Sequence, residues 1–295
     1  MTMPAVIGVL GPTASGKTAV AEALADTLGT EVVSCDALQV YRGLPLLTNQ
    51  PRHPTRLVGI RALDEEMSVG AYARLARETI DELVAAAGAA IVCGGTGLYF
   101  RAAISELGVP PAPAADARTR WESVYDAGAA AAHSTLRSLD PPAADAVHPN
   151  DRRRVVRALE LAEAGSSLVD GQDRLWGADA RLPTLVAGLD VPPDELERRI
   201  IARTSAMFAA GVVAEVRAAL RGTVSRTAER ALGLREIAEL DADAARERIV
   251  VRTRRYAAYQ RKWMRRIPGL VSFDATVPPE EVADAILEVA YSRSL

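Results

Sequence analysis

Lysine is almost missing from this chain of 295 residues: Lys17 and Lys262 are the only two, and arginine supplies the rest of the 35 basic side chains. Cysteine is as scarce, with Cys35 and Cys93 alone, which excludes a disulfide framework and a cysteine-rich zinc site. Each closes an expected strand, so two reduced, buried thiols are expected. His53, His133 and His148 are too scattered to form a metal-ligand set, and a solvated or core role is expected for each. A formal net charge of -3 provides no global field for a polyanion, so any nucleic-acid binding requires a local basic face. No apolar run is long enough to span a bilayer. The opening Met1-Thr2-Met3-Pro4 has no basic stretch, so no signal peptide is expected and the cytoplasm is the expected address. Hydrophobic residues make up 49% of the chain, enough for a sizeable core.

One of the two lysines lies in Gly11-Pro12-Thr13-Ala14-Ser15-Gly16-Lys17-Thr18. An apolar stretch, Ala5 to Leu10, precedes this loop as an expected strand, and Ala19 to Leu28 follows as an expected helix. Strand, glycine loop and helix in that order are the context in which GxxxxGK[ST] acts as a phosphate cradle. Backbone N–H groups converge there, and the helix adds the positive end of its dipole. Lys17 supplies a point charge for a phosphate, and Thr18 supplies a hydroxyl for Mg²⁺. A glycine-rich turn without a ligand is the alternative. It does not explain why so rare a residue as lysine falls on the one position that needs it.

Further strands are expected at Glu31 to Asp36, Ala89 to Cys93, Leu185 to Val191 and Leu270 to Phe273. Helices are expected at Ser68 to Ala87, Pro192 to Ala210, Val212 to Leu220, Asp241 to Ile267 and Pro278 to Val289. Alternating strands and helices imply an α/β fold: a P-loop-type parallel sheet flanked by helices, with ligands outside the carboxyl ends of the strands. Between the two halves, Gly108 to Ala117 reads as a linker. Asp116 to Glu163 shows only helical patterns, broken at Pro141-Pro142 and His148-Pro149, and Gly165 to Ala180 reads as a loop. The expected organisation is therefore a core in two parts, 1–107 and 181–295, around a helical insertion at 108–180.

Two helices are basic. At about 100° per residue, Arg254, Arg255, Arg261, Lys262, Arg265 and Arg266 share one face of the long C-terminal helix, with Tyr256, Gln260, Trp263 and Met264 opposite. In the insertion, Arg152, Arg153, Arg154 and Arg157 cluster on a helix that Asn150 or Asp151 can cap. Taken alone, the long helix also fits a solvated face over an aromatic core. Two basic helices beside a phosphate loop point to a polyanionic partner.

A phosphate loop by itself leaves an ATPase, a GTPase and a small-molecule kinase open. An NTPase places an acid at the end of a core strand to hold Mg²⁺. Here the third strand ends in Cys93-Gly94-Gly95, and the acid, Asp36, follows the second strand. That position suits a general base acting on an acceptor group, although a turn acid capping a loop is also compatible with it.

The chain resembles the bacterial tRNA dimethylallyltransferases, also called tRNA isopentenyltransferases. The stretches that carry the likeness run across nearly the whole sequence: GPTASGKT (11–18), SCDALQVYRG (34–43), CGGTGLYFRA (93–102), RTRWE (118–122), HPNDRRRVVRALE (148–160), LERRIIARTSAMFAAGVVAEV (196–216), RALGLREI (230–237) and TRRYAAYQRKWMRR (253–266). The resemblance implies transfer of the dimethylallyl group of dimethylallyl diphosphate to N6 of adenosine 37, beside the tRNA anticodon. Asp36 would then be the catalytic base. Gly11, Pro12, Thr13, Ala14, Ser15, Gly16, Lys17 and Thr18 would hold the diphosphate with Mg²⁺, and Arg203 would pair with it from a helix. Asp36, Ala37, Leu38 and Gln39 would meet the extruded adenosine. Thr96, Arg118, Arg153, Arg154, Val155, Val156 and Arg157 would contact the tRNA, and a monomer is expected. The chain departs from the family pattern at Leu47 (usually glycine), at Gln50 (usually lysine), at Thr55-Arg56 (usually paired histidines), and at Ala258 and Tyr259 (usually basic).

Overall fold

All five residues of β1 (Val6–Leu10) are buried, because this strand is covered on both faces. In the computed structural model, which describes residues 3–106, 116–169 and 180–292, the chain divides into two compact units: Met1–Glu106 with Ala178–Leu295, and Leu107–Gly177. In the first unit, β1 leads through the glycine loop to α1 (Lys17–Leu28), β2 (Val32–Ser34), β3 (Thr55–Arg56), α2 (Val69–Ala87), β4 (Ala90–Gly94) and α3 (Gly97–Ile104). The second unit holds α4 (Ala117–Ala127), α5 (Ala129–Leu139), α6 (Pro141–Ala146) and α7 (Arg152–Glu163). The chain then returns to the first unit with β5 (Thr184–Asp190), α8 (Pro193–Ala209), α9 (Val212–Ala219), α10 (Leu234–Glu239), α11 (Ala242–Met264), β6 (Val271–Asp274) and α12 (Pro279–Ser292).

The six strands are ordered β3-β2-β4-β1-β5-β6, and every pairing is parallel. Successive side chains of a strand point to opposite faces. Accordingly, Ile7 and Val9 join one core with Leu24 of α1, Ile200 of α8, Ala257 of α11 and Ile286 of α12. Val6 and Leu10 join the other with Tyr72 and Ile80 of α2 and Phe100 of α3. Parallel strands put all their carboxyl ends on one edge. The glycine loop, Cys35-Asp36 and Gly95-Thr96 follow β1, β2 and β4 there.

The two cysteines lie side by side along this edge. The Cys35 N–H donates to the Cys93 carbonyl at 2.8 Å, and both thiols are free and buried. Their side chains join the cores on opposite sheet faces. A disulfide needs its two Cβ atoms to converge, which this arrangement opposes.

Helix boundaries follow local chemistry. Ser68 caps α2 by accepting from the Ala71 N–H at 3.1 Å, and Gly88 ends it in a left-handed conformation. Asp151 caps α7, accepting from Arg154 N–H at 3.1 Å. Pro141-Pro142, expected to break a helix, in fact begins α6, because proline is tolerated in the first turn. β3, α3 and α10 have no counterpart among the expected elements. β3 spans only two residues, too short for any alternation to register. α3 is buried at Gly97, Tyr99, Phe100, Ala102, Ala103 and Ile104 and so shows no polar face. The expected linker and the loop before β5 fall largely on residues 107–115 and 170–179, outside the described residues.

The basic stripe of α11 requires a correction. Arg254 pairs with Glu197 of α8, and Arg261 donates to the Val191 carbonyl, with Asp190 3.6 Å away. These two guanidiniums tie α11 to neighbouring elements. Arg254, Arg255, Lys262, Arg265 and Arg266 are nonetheless exposed, and only Arg261 is partly withdrawn from the stripe.

Candidate active site

The glycine loop is folded against its own side chains. Gly16 (φ +91°) and Ala14 (φ +66°) are left-handed, and for alanine this conformation is strained. The Ser15 N–H donates to the Pro12 carbonyl at 3.2 Å, and Lys17 Nζ curls back to the same carbonyl at 2.8 Å. Arg203 of α8 donates through Nη1 to Thr13 Oγ1 at 2.5 Å. Gln260 of α11 accepts the Thr13 N–H on Oε1 at 2.7 Å and is only 3% exposed. Ser15 Oγ is buried and has no hydrogen-bond partner among the described residues.

Asp36 stands at the end of β2. Its Oδ1 accepts the Leu38 N–H at 2.9 Å, an Asx-type turn that fixes the carboxylate. Beneath it, Ser34 Oγ donates to Gln39 Oε1 at 2.8 Å, and Tyr72 OH donates to the Ser34 carbonyl at 2.9 Å. Gln39 Nε2 donates to the Asn49 carbonyl at 2.8 Å. Gln50, where a lysine is usual, donates from Nε2 to the Gln39 and Tyr41 carbonyls at 3.1 and 2.7 Å. It therefore closes the 39–50 loop on itself. Leu47, where a glycine is usual, is buried, and its N–H and that of Leu46 both donate to the Glu215 carboxylate at 2.8 Å.

The loop and Asp36 face one cavity of about 490 Å³. Thr13, Ala14, Gly16, Lys17 and Thr18 line it from the loop side, Asp36 and Gln39 from the β2 side, and Arg199 and Arg203 from α8. Tyr256 and Gln260 of α11 complete the wall, and Asp36 is the only carboxylate that the described residues place in the lining. Burial pushes the Lys17 ammonium below its ordinary value, with Arg203 also lowering it and Asp36 opposing the shift. Burial likewise lowers the Arg203 guanidinium, while Asp36 opposes the shift. The buried Cys93 thiol and Tyr256 phenol are each pushed up to about 12, so both are neutral near pH 7. The cavity thus suits an anion, with cations held against their desolvation cost and one carboxylate in the same lining.

Of the residues expected at the loop, Gly11, Pro12 and Ser15 do not line the cavity, and the other five do. Thr96 lies beside it, its Oγ1 3.3 Å from Tyr256 OH. The helical period puts Gln260 and Tyr256 on an apolar face and gives them no role in the site. The signal that could have placed them is in the glycines: a Cβ on Gly95 would stand 2.1 Å from Gln260 Nε2, and one on Gly97 2.2 Å from Trp263 Cε3. These two positions admit α11 against the sheet edge.

In the insertion, Glu160 is 1% exposed and bridges two arginines: Arg118 Nη1 at 3.3 Å and Arg157 Nη1 at 3.1 Å. Arg152 is held by Asp126, both contacts 2.8 Å. Arg153 and Arg154 are exposed. Val155 and Val156 are fully buried in the insertion core with Leu136 and Leu159. Expected among the tRNA contacts, they instead anchor the helix and offer no side chain to a ligand.

The sequence pattern of the IPP transferase family matches residues 39–267, and that of isopentenyl transferases matches 4–61. A tRNA dimethylallyltransferase of Anaeromyxobacter dehalogenans is 40% identical over 290 residues, covering 93% of this chain and 96% of that protein. The Streptomyces coelicolor protein of the same name is 40% identical over 279 residues, covering 90% and 88%. The crystal structure of the full-length tRNA isopentenylpyrophosphate transferase of Bacillus halodurans superposes with a TM-score of 0.69 at 29% identity, covering 98% of this chain and 97% of that one. A eukaryotic dimethylallyltransferase acting on tRNA shares the fold, with a TM-score of 0.77 at 24% identity over 92% of this chain and 74% of its own.

Proposed function

The chain belongs to the IPP transferase family, and we propose that it moves the dimethylallyl group of dimethylallyl diphosphate to N6 of the adenosine next to a tRNA anticodon, releasing diphosphate. One observation carries this reading: a single cavity is lined by the phosphate loop with Lys17, by Arg203 and by Asp36, the one carboxylate that the described residues place there. A leaving group needs the first set and an acceptor needs the carboxylate.

The chemistry divides between them. As the allylic C–O bond breaks, its electron pair leaves on the diphosphate. Lys17 and Arg203 line the cavity to receive that charge, Lys17 exchanging its bond to the Pro12 carbonyl for one to the diphosphate. The C–N bond forms to N6, and Asp36 takes the proton that N6 loses. Beside the phosphate site, Thr18 offers a hydroxyl, a hard oxygen donor. Such a sparse set fits Mg²⁺, which takes few protein ligands and completes its shell with phosphate and water. When bound, Mg²⁺ would offset charge on the leaving diphosphate. The adenine must leave its stack to reach the cavity, costing a few kcal/mol. Contacts from Arg118, Arg153, Arg154 and Arg157 to the anticodon arm would offset that.

A monomer is the proposed working unit. No helix among the described residues is long and apolar enough to cross a membrane, and a tRNA acceptor argues for the cytoplasm. Incubation with unmodified tRNA and labelled dimethylallyl diphosphate tests the reading. Label should enter the tRNA and stay out of free adenosine, AMP and ADP. Label entering a free nucleotide but not tRNA would overturn the choice of acceptor.

A further inference from the structure

We propose that Arg199 is a second guanidinium for the departing diphosphate, paired with Arg203 and acting further along the glycine loop, where it enters α1. The inference rests on the diphosphate reading of the cavity.

Arg199 and Arg203 are four residues apart on α8 and so share a helix face. Both line the cavity, and with Lys17 they are the only cationic side chains that the described residues place there. Arg203 addresses the Thr13 end of the loop, 2.5 Å from Thr13 Oγ1. Arg199 lies further along, where the loop enters α1. Its Nη1 lies 3.5 Å from the Ser15 carbonyl, and a Cβ built on Gly16 would be 3.9 Å from the same nitrogen. Gly16 has no side chain to stand between the guanidinium and the start of the helix.

The rest of the group is held in place. Arg199 Nε donates to Glu195 Oε1 at 2.6 Å, one turn earlier on α8. That bond uses one donor and orients the plane. The contact with Ser15, at the outer limit of a hydrogen bond, is weak, so the terminal nitrogens keep donor capacity towards the cavity. A guanidinium suits this task because its planar fork matches two phosphate oxygens.

Charge supplies the reason for a third cation. A leaving diphosphate concentrates several negative charges in one place. The other two cations there, Lys17 and Arg203, are both disfavoured by burial. Arg199 is less enclosed, with 29% of its side chain exposed, and it adds charge at smaller desolvation cost. A diphosphate also has two phosphoryl groups, and the two arginines meet the loop at two points, Thr13 and Ser15.

The experiment compares R199Q, R199K, R203Q and K17M in the full chain, with two readouts: binding of inorganic diphosphate with Mg²⁺, and steady-state transfer to tRNA. R199Q should weaken diphosphate binding and lower kcat/KM for dimethylallyl diphosphate by about a hundredfold, leaving tRNA affinity and Tm near wild type. R199K should recover part of the loss, since a point charge replaces the fork incompletely. If R199Q binds diphosphate and turns over within about twofold of wild type while R203Q and K17M lose both, Arg199 merely ties α8 to the loop and the proposal is overturned. If R203Q and K17M also bind diphosphate normally, the diphosphate reading of the cavity falls, and the role of Arg199 with it.

Discussion

Gln260 and Thr13 are 247 positions apart, yet the Gln260 Oε1 accepts the Thr13 N–H at 2.7 Å. This bond joins the last long helix of the site to the phosphate loop. It gives an acceptor to a loop N–H that lies outside both the preceding strand and the following helix. The same side chain lies over Gly95, where a Cβ would collide with it at 2.1 Å.

Breaking that relationship should loosen the loop. Gln260→Leu leaves a partly buried N–H without an acceptor, which costs about 1–3 kcal/mol. Thermal unfolding should show a lower Tm, and diphosphate titration a weaker affinity. Gln260→Glu keeps an acceptor but adds a negative charge beside the anion pocket, so it should retain more stability than the leucine variant and still lose diphosphate affinity. A leucine variant with wild-type Tm and affinity would show that the bond neither stabilises the fold nor shapes the loop.

Gly95→Ala should have a related effect by another route. The added methyl must displace Gln260 or move α11, and overpacking of this kind costs about 1–3 kcal/mol. Denaturant unfolding should report the loss, and transfer activity should fall with it. Gly88→Ala is a useful contrast, because a Cβ there meets nothing within 4 Å; its loss should come only from the left-handed backbone at φ +78°.

Asp36→Asn should remove the base while keeping the turn, since the amide oxygen can still accept the Leu38 N–H. Loss of a general base lowers turnover by about a hundredfold to ten-thousandfold. Single-turnover transfer should show that drop, with tRNA binding by filter or gel assay unchanged. Wild-type turnover in the asparagine variant would exclude Asp36 as the base.

Lys17 gives a pH signature with a definite sign. Its pKa in the folded protein is lowered by burial from 10.5, so the folded state holds this proton less tightly than the unfolded chain. Stability from this group therefore rises with pH between the lowered value and 10.5, and it is lost as pH falls through that window. Diphosphate affinity should run the other way, falling as the ammonium is discharged. Lys17→Met should flatten both trends. Tm and diphosphate affinity followed from neutral pH up to 10.5 on both proteins test this.

The exposed arginines of α7 should appear in the salt dependence of tRNA binding. Replacing Arg153 and Arg154 by glutamine should reduce the slope of log K against log salt by about one unit for each phosphate that is no longer neutralised. The Val155→Ala change should leave the slope alone and lower stability instead, because that side chain is buried in the insertion core. An unchanged slope in the double arginine variant would remove these two residues from the RNA interface.

Much of this protein is written locally. The Gly11 to Thr18 loop, its flanking strand and helix, and the acid after the second strand each depend on a few neighbouring residues. Backbone freedom, alternation and helical period act over that range. The α7 cap at Asp151 and the stop of α2 at Gly88 are legible for the same reason. The wall made by Gln260, Tyr256 and Arg199 is not. Their positions depend on which helices cross the sheet edge and how closely, and that is set by packing between segments hundreds of residues apart. The amphipathic pattern of α11 separates polar from apolar positions, but it cannot tell an arginine facing water from Arg261 tied to Val191, nor a core glutamine from one that completes a phosphate loop. Short-range chemistry wrote the cradle and its acid; only long-range packing decided what stands around them.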